Sequence, residues 1–127
     1  MSRGQFLHGV ASGDPTSDGI VLWTRVTPDS DAPAAGIRTR WVVRDASSGG
    51  EVAGGEAVAV PDNDWTLRVI SDGLAPDTAH EYEFAIGDVV SPTGRFRTLP
   101  TEASRLDFGV FACTKREAPL RYANRSI

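Results

Sequence analysis

The feature that most restricts this chain is a series of short stretches in which apolar and polar residues alternate. Residues 37–44 show it clearly: Ile37, Trp41 and Val43 would face one side of a strand, and arginines would face the other. A strand of this kind buries one face only, so it needs a second layer of protein to cover that face. The pattern predicts sheets packed against each other.

Turn-forming residues separate these stretches at intervals of about 8 to 12 residues. Gly54 and Gly55 interrupt residues 51–60, which predicts either two short strands or one bulged strand there. Residues 20–26 are rich in β-branched and aromatic side chains and predict a central strand. The further predicted strands are residues 37–44, 65–70, 80–86 and 95–99.

Glycine and proline are spread along the whole chain of 127 residues, with 13 Gly and 8 Pro, as expected for many turns between short strands. Helical periodicity is absent until residues 116–127, where a helix could begin. We predict an all-β fold, an immunoglobulin or fibronectin type III-like β-sandwich of about seven strands. Trp23, Trp41 and Trp65 are expected to fill much of its core.

The character of the chain changes after residue 100. Residues 100–105 are short and polar, which is typical of a linker between domains. Residues 106–113 carry an apolar run typical of a strand buried on both faces of an α/β sheet. We therefore predict a sandwich domain at residues 1–102, and at residues 103–127 a linker and the first strand of a truncated second domain. Lacking a partner sheet, residues 106–113 could also mediate self-association.

The charge of the chain disfavours two classes of partner. Its formal net charge is −4, from 17 acidic and 13 basic residues, so it has no electrostatic attraction to nucleic acid or to anionic membranes. No apolar run reaches the roughly 20 residues that a membrane-spanning helix needs. Cys113 is the single cysteine and cannot form an intrachain disulfide. We predict neither nucleic-acid binding nor a membrane span.

Residues 6–28 carry a long motif, FLHGVASGDPTSDGIVLWTRVTP. Segments at residues 73–78, 91–100 and 106–113 follow it in the expected order. Through these segments the chain resembles the N-terminal region of the PhoD-like alkaline phosphatase and phosphodiesterase family, least clearly over residues 29–64. The resemblance implies a fibronectin type III-like sandwich followed by a catalytic domain that hydrolyses phosphate monoesters, diesters or both.

The same resemblance implies a secreted protein, extracellular or periplasmic, whose active site binds iron and calcium. By position, Cys113 matches a cysteine that is a ferric-iron ligand in the family, and no other catalytic or metal-binding residue of the family falls within this chain. Ala112 stands where the family usually has a serine, and His80 stands at the place of a corner tyrosine. The resemblance therefore implies an inactive domain whose partners are its own downstream catalytic domain and, through it, the phosphate ester substrate.

Other candidate residues have simpler interpretations. His8 and Asp14 could form an acid/base pair, but a packing histidine and a turn aspartate are favoured. Ser12 is one position too late for a nucleophile elbow, and residues 62–64 lack the glycine and glutamate of a calcium loop. Five arginines, at positions 38, 40, 44, 95 and 97, could form a basic patch. A solvated sheet face, on which these arginines are partly paired with Glu81 and Glu83, is favoured instead.

One alternative belongs to a different functional class. A freestanding fibronectin type III-like module for adhesion or ligand binding would use its loops or an exposed aromatic side chain such as Trp65. It predicts that residues 106–127 complete the sandwich with an extra strand and a helix. The phosphatase resemblance predicts instead that this segment belongs to the next domain.

Overall fold

The alternating stretches form strands in the computed structural model, which describes residues 3–112. Seven strands have four or more residues, and three further strands have two residues each. In chain order they are β1 (Gly4–Gln5), β2 (Val10–Gly13), β3 (Ile20–Arg25), β4 (Thr27–Pro28), β5 (Ile37–Asp45), β6 (Glu51–Ala59), β7 (Thr66–Ser71), β8 (Ala79–Ile86), β9 (Val89–Val90) and β10 (Gly94–Arg97).

The strands form two main sheets, and every pair of neighbours is antiparallel. The three-stranded sheet has the order β2-β3-β7, so β3 is central as predicted. The five-stranded sheet has the order β10-β8-β5-β6, with β9 also paired to β8. A small ladder joins β1 to β4. Two antiparallel sheets of this kind confirm the predicted β-sandwich.

The core lies between the inner faces of the two sheets. Leu22 of β3, Val43 of β5 and Phe84 of β8 are completely buried there. Burying a side chain of this size stabilises the fold by about 1.5 to 3 kcal/mol. Thr24 is also completely buried, and its hydroxyl donates to the carbonyl of Gly9 at 2.9 Å, which satisfies both polar groups.

Residues 51–60 contain one bulged strand, which settles the two alternatives left open by the sequence. Val43 pairs with Ala53 and Arg44 pairs with Glu51, so the ladder skips Val52. The bulge therefore lies at Val52 rather than at the two glycines. Gly55 has a different role, because a Cβ there would lie 3.0 Å from the indole nitrogen of Trp41.

The expectation that all three tryptophans fill the core is wrong for Trp23. Trp41 and Trp65 are partly buried and pack against the core. Trp23 alternates with the buried Leu22 and Thr24 along β3, so its side chain points to the outer face of the three-stranded sheet. Trp65 precedes β7 instead of lying within it, in a left-handed conformation with φ of 60°.

The sandwich has two ends, defined by its loops. The linker end carries residues 14–19 and 72–78 and the last residues of the sandwich, and the opposite end carries residues 6–9 and 60–65. Thr98 closes the linker end: it is buried, and its hydroxyl donates to the Ala75 carbonyl at 2.6 Å and accepts from a backbone N–H at 3.0 Å.

After this closure, residues 101–112 are exposed and contain no strand. Leu106, Phe108, Val110 and Phe111 are each at least 60% exposed. The binding-module alternative predicts an extra strand here, and residues 106–112 form none. The predicted helix at 116–127 lies outside the described residues, and the assignment of 103–127 to a second domain stays a prediction. Over residues 3–112, no helix is long and apolar enough to cross a membrane.

Candidate functional site

The one residue predicted to bind a metal, Cys113, lies outside the described residues. Within residues 3–112, no three side chains of His, Cys, Asp or Glu come together in a way that could hold a metal ion. Iron and zinc sites need three or four protein donors.

The structure keeps His8 and Asp14 apart. They lie beyond the two ends of β2, which rises by roughly 3.4 Å per residue. Asp14 is an exposed turn residue with a φ of 53°, in the left-handed region that aspartate tolerates better than most residues. Because they lie at opposite ends of the sandwich, these two residues cannot work together as an acid/base pair.

His8 instead takes part in a cluster around Arg25 at the end opposite the linker. The Nε2 atom of His8 lies 3.1 Å from Nη1 of Arg25. Arg25 also donates to the Asp64 carboxylate at 2.9 Å and to the Asp64 backbone carbonyl at 3.1 Å. Asp64 and Trp65 both have positive φ angles, of 55° and 60°. Arg25 thus fastens a strained loop to β3, which gives Asp64 a structural role rather than a calcium-binding one.

Ser12 lies on β2, with no helix to present its hydroxyl as a nucleophile. Its side chain lies near the phenol of Tyr82, a buried residue of β8 in the other sheet. Burial raises the pKa of Tyr82, and the nearby Ser12 hydroxyl partly opposes that increase. Ser12 therefore lies between the edge of one sheet and the interior of the other.

His80, at the place of the corner tyrosine, is a core residue. It is 2% exposed and stacks on Phe96, with ring centroids 4.9 Å apart. Its Nδ1 atom has no hydrogen-bond partner within residues 3–112. A corner tyrosine would bond the backbone with its hydroxyl, whereas His80 contributes packing through this stacked pair.

The outer face of the five-stranded sheet is charged and paired, as the sequence predicts. Arg44 donates to the Glu83 carboxylate, and Arg95 lies 3.3 Å from Glu81. A shallow cleft of about 530 Å³ on this face is lined by two arginines and three glutamates together with apolar residues, namely Arg40, Arg44, Glu51, Glu56, Glu83, Trp41, Val42, Ala85 and Val90. The positive charges are therefore matched by negative ones, and this face is no anion-binding patch.

The outer face of the three-stranded sheet has a different chemistry. Ala11, Trp23 and Arg68 lie side by side in one row of paired residues, and Val21 and Ile70 are paired in the next. We call Ala11, Val21, Trp23 and Ile70 the apolar face. The sequence of residues 20–26 contains a signal for this face, because the strand carries apolar residues on both sides. Strands of that kind are typically covered on both faces.

Comparison with known proteins places this architecture in a family. Residues 1–100 match the family described as PhoD-like phosphatase, N-terminal domain. The chain is 37% identical over 112 residues to alkaline phosphatase D of Bacillus subtilis (strain 168), a match that covers 84% of this chain. It spans only 19% of that relative.

Solved structures agree with the sequence match. The structure of PhoD superposes with a TM-score of 0.71 at 36% identity, covering 83% of this chain and 21% of that one. The fn3 domain of human collagen alpha-1(XX) chain superposes with a TM-score of 0.51 at 16% identity, covering 87% of this chain and 93% of that domain, and shows the shared fold alone. The chain belongs to the PhoD-like phosphatase family, as an N-terminal domain of that family.

Proposed function

We propose that this chain is the non-catalytic N-terminal domain of a secreted alkaline phosphatase that hydrolyses phosphate monoesters, diesters or both. The observation that carries the proposal is the match to alkaline phosphatase D, 37% identical over 112 residues and confined to 19% of that relative. The remaining four fifths of a protein of that kind are long enough to hold a complete catalytic domain.

The arrangement of polar residues supports a structural role for the sandwich. His8 is engaged with Arg25, and Ser12 with Tyr82. A hydrolytic site needs a nucleophile, a base within hydrogen-bond reach and a group that stabilises developing negative charge. These residues meet structural needs instead, which leaves the chemistry to the remainder of the complete protein.

The proposed cofactors are iron and calcium, with Cys113 as one ligand of the iron. A thiolate is a soft ligand that suits iron, whereas calcium takes oxygen ligands. One cysteine cannot hold a metal alone, so the other donors would come from residues that follow this chain. The proposed localisation is extracellular or periplasmic, where such an enzyme would meet phosphate esters outside the cell.

The test compares this chain with a version extended through its natural reading frame. Both are assayed for phosphomonoesterase and phosphodiesterase activity with iron and calcium added. We expect activity and metal uptake in the extended protein only, and loss of iron from its Cys113→Ala variant. Absence of both activity and metal uptake from the extended protein would contradict the proposal and favour a ligand-binding module.

The matched control is Ser12→Ala in the extended protein. Ser12 lies in the sequence motif of residues 6–28 and is an exposed hydroxyl, so it is the residue of this chain most easily mistaken for a nucleophile. We expect this variant to keep its activity and its iron. Abolished turnover in a folded Ser12→Ala protein would place catalysis within the sandwich and contradict a non-catalytic role.

A further inference from the structure

We propose that the apolar face of the three-stranded sheet is the surface on which the sandwich docks against the catalytic domain that follows it. The inference rests on the proposed function, because it needs such a domain, and it adds which surface of this chain is covered. Three observations carry it: the composition of the face, its position beside the linker, and the charges at its rim.

The composition of the face differs from that of the rest of the surface. Ile70 is 64% exposed and lies opposite Val21, while Trp23 lies between Ala11 and Arg68. Side chains in paired positions of neighbouring strands lie on the same face, so these residues form one continuous apolar surface. The outer face of the five-stranded sheet has ion pairs among its apolar residues. Of the two outer faces, the apolar face is therefore the one more similar to the core of an interface, where charged residues are depleted and aromatic ones enriched.

The apolar face lies next to the point where the linker begins. The backbone N–H of Leu99 donates to the carbonyl of Thr16 at 2.9 Å, which fixes the end of the sandwich beside the turn that joins β2 to β3. Leu99 is itself 42% exposed. An open cleft of about 390 Å³ in this region is lined by residues of that turn and by Val21, Arg68 and Ile70. The linker of residues 100–105 spans at most roughly 20 Å when fully extended.

This short reach restricts where the next domain can lie. A domain that begins at residue 106 stays close to the linker end, and the apolar face begins there with Val21 and Ile70. The apolar residues 106–112 are in addition exposed rather than covered by the sandwich, so burial against a following domain would stabilise them. A second copy of this chain, docked on the apolar face, would not explain why that face lies beside the linker. It would also not explain why the relative is much longer than this chain.

The rim of the face defines the chemistry of its partner surface. Arg68 is exposed and makes no ion pair within residues 3–112, whereas Asp14, Asp18 and Asp72 border the cleft at the linker end. The docked surface should therefore present an apolar patch, with an acidic group over Arg68 and a basic group toward the three aspartates. Charges at an interface rim set orientation more than affinity.

The experiment measures hydroxyl-radical labelling of Trp23 and tryptic cleavage of the linker at Arg105, in the 127-residue chain and in the protein extended through its natural reading frame. We expect Trp23 labelling and Arg105 cleavage to be lost in the extended protein. Ile70→Glu in the extended protein should restore both signals. Val58→Glu is the matched control, because Val58 is 49% exposed on the outer face of the five-stranded sheet, and it should restore neither.

Both substitutions are first made in the 127-residue chain, where an unchanged Tm shows that the sandwich tolerates them. The proposal is overturned if Trp23 is labelled equally in both proteins, if Val58→Glu restores labelling as Ile70→Glu does, or if the short chain forms a dimer that Ile70→Glu dissociates. Phosphatase activity is scored separately. If the extended protein is active but Trp23 is labelled as in the short chain, only the proposed docking surface is contradicted. If the extended protein is inactive but Trp23 is protected from labelling, only the proposed function is contradicted.

Discussion

At the scale of single residues, Gly94 has the least room of the glycines for a side chain, at the point where β8 meets β10. Gly94 pairs with Tyr82, and a Cβ built on Gly94 would lie 2.2 Å from the phenol ring. Such a distance is far below van der Waals contact, so a glycine is required here by space rather than by backbone conformation. The buried ring of Tyr82 therefore dictates the residue on the neighbouring strand.

We expect Gly94→Ala to lower the free energy of unfolding by about 1 to 3 kcal/mol, because the added methyl group must displace the Tyr82 ring. Gly13→Ala is the matched control, since a Cβ at Gly13 meets nothing within 4 Å. Urea unfolding of both variants measures the difference. Equal stability of the two would show that the ring moves aside at no cost.

Tyr82 also makes stability depend on alkaline pH. Burial raises the pKa of Tyr82 above its ordinary value of 10.0, so the phenol ionises more readily in the unfolded chain than in the folded one. The stabilisation is complete below pH 10.0 and is lost as the pH rises toward and through the folded-state pKa. Urea unfolding at a series of pH values from neutral to above 10.0 should show that the free energy of unfolding falls more steeply with pH for the native chain than for Tyr82→Phe. Parallel curves of unfolding free energy against pH would contradict this prediction.

At the scale of elements, β3 holds the three-stranded sheet together. It pairs with β2 on one side and β7 on the other, and its inward residues are buried. It also anchors the loop before β2, because the Thr24 hydroxyl donates to the Gly9 carbonyl. This bond crosses 15 positions of the chain, whereas Thr39, which is also completely buried, bonds only the Ile37 carbonyl two residues away at 3.3 Å.

We expect Thr24→Val to cost about 1 kcal/mol more than Thr39→Val, because it leaves the Gly9 carbonyl without its partner. Both side chains are completely buried, so the two substitutions differ mainly in the hydrogen bond that is lost. Hydrogen exchange should in addition speed up around residues 6–10 in Thr24→Val only. An equal effect of both substitutions would mean that the long-range bond adds nothing.

At the scale of the whole molecule, no strand follows Arg97 within residues 3–112, so the strands of the sandwich end before the predicted linker. Thr98 and Leu99 make its last hydrogen bonds, and residues 101–112 are exposed. Four large apolar side chains on this segment contact water rather than the core, which favours association between molecules. Folding and self-association are therefore expected to depend on different parts of the chain.

We expect a chain of residues 1–102 to keep the Tm of the 127-residue chain and to associate less at high concentration. Differential scanning calorimetry measures the first quantity and sedimentation velocity the second. A clearly lower Tm would mean that residues 103–127 belong to the sandwich, as the binding-module alternative requires.

Much of the fold was predictable because local patterns carry it. Alternation identified β5 and β8 with their inward faces, since the period of a strand is two residues whatever its partners. The two-residue strands β1, β4 and β9 were not predicted, because two residues are too few to show an alternating pattern. The bulge at Val52 was placed at the glycines instead, since the register between β5 and β6 depends on the partner strand.

The sequence by itself determined the strand-forming stretches, the sandwich class and the family, because strand periodicity, turn residues and the motif of residues 6–28 are local properties of the chain. Only the tertiary structure decided which face of a strand looks outward. Residues 20–26 are apolar on both sides, so pattern alone could not tell whether Leu22 or Trp23 enters the core. The packing of the five-stranded sheet against one face of β3 buried Leu22 and left Trp23 on the outer face, and that choice created the apolar face.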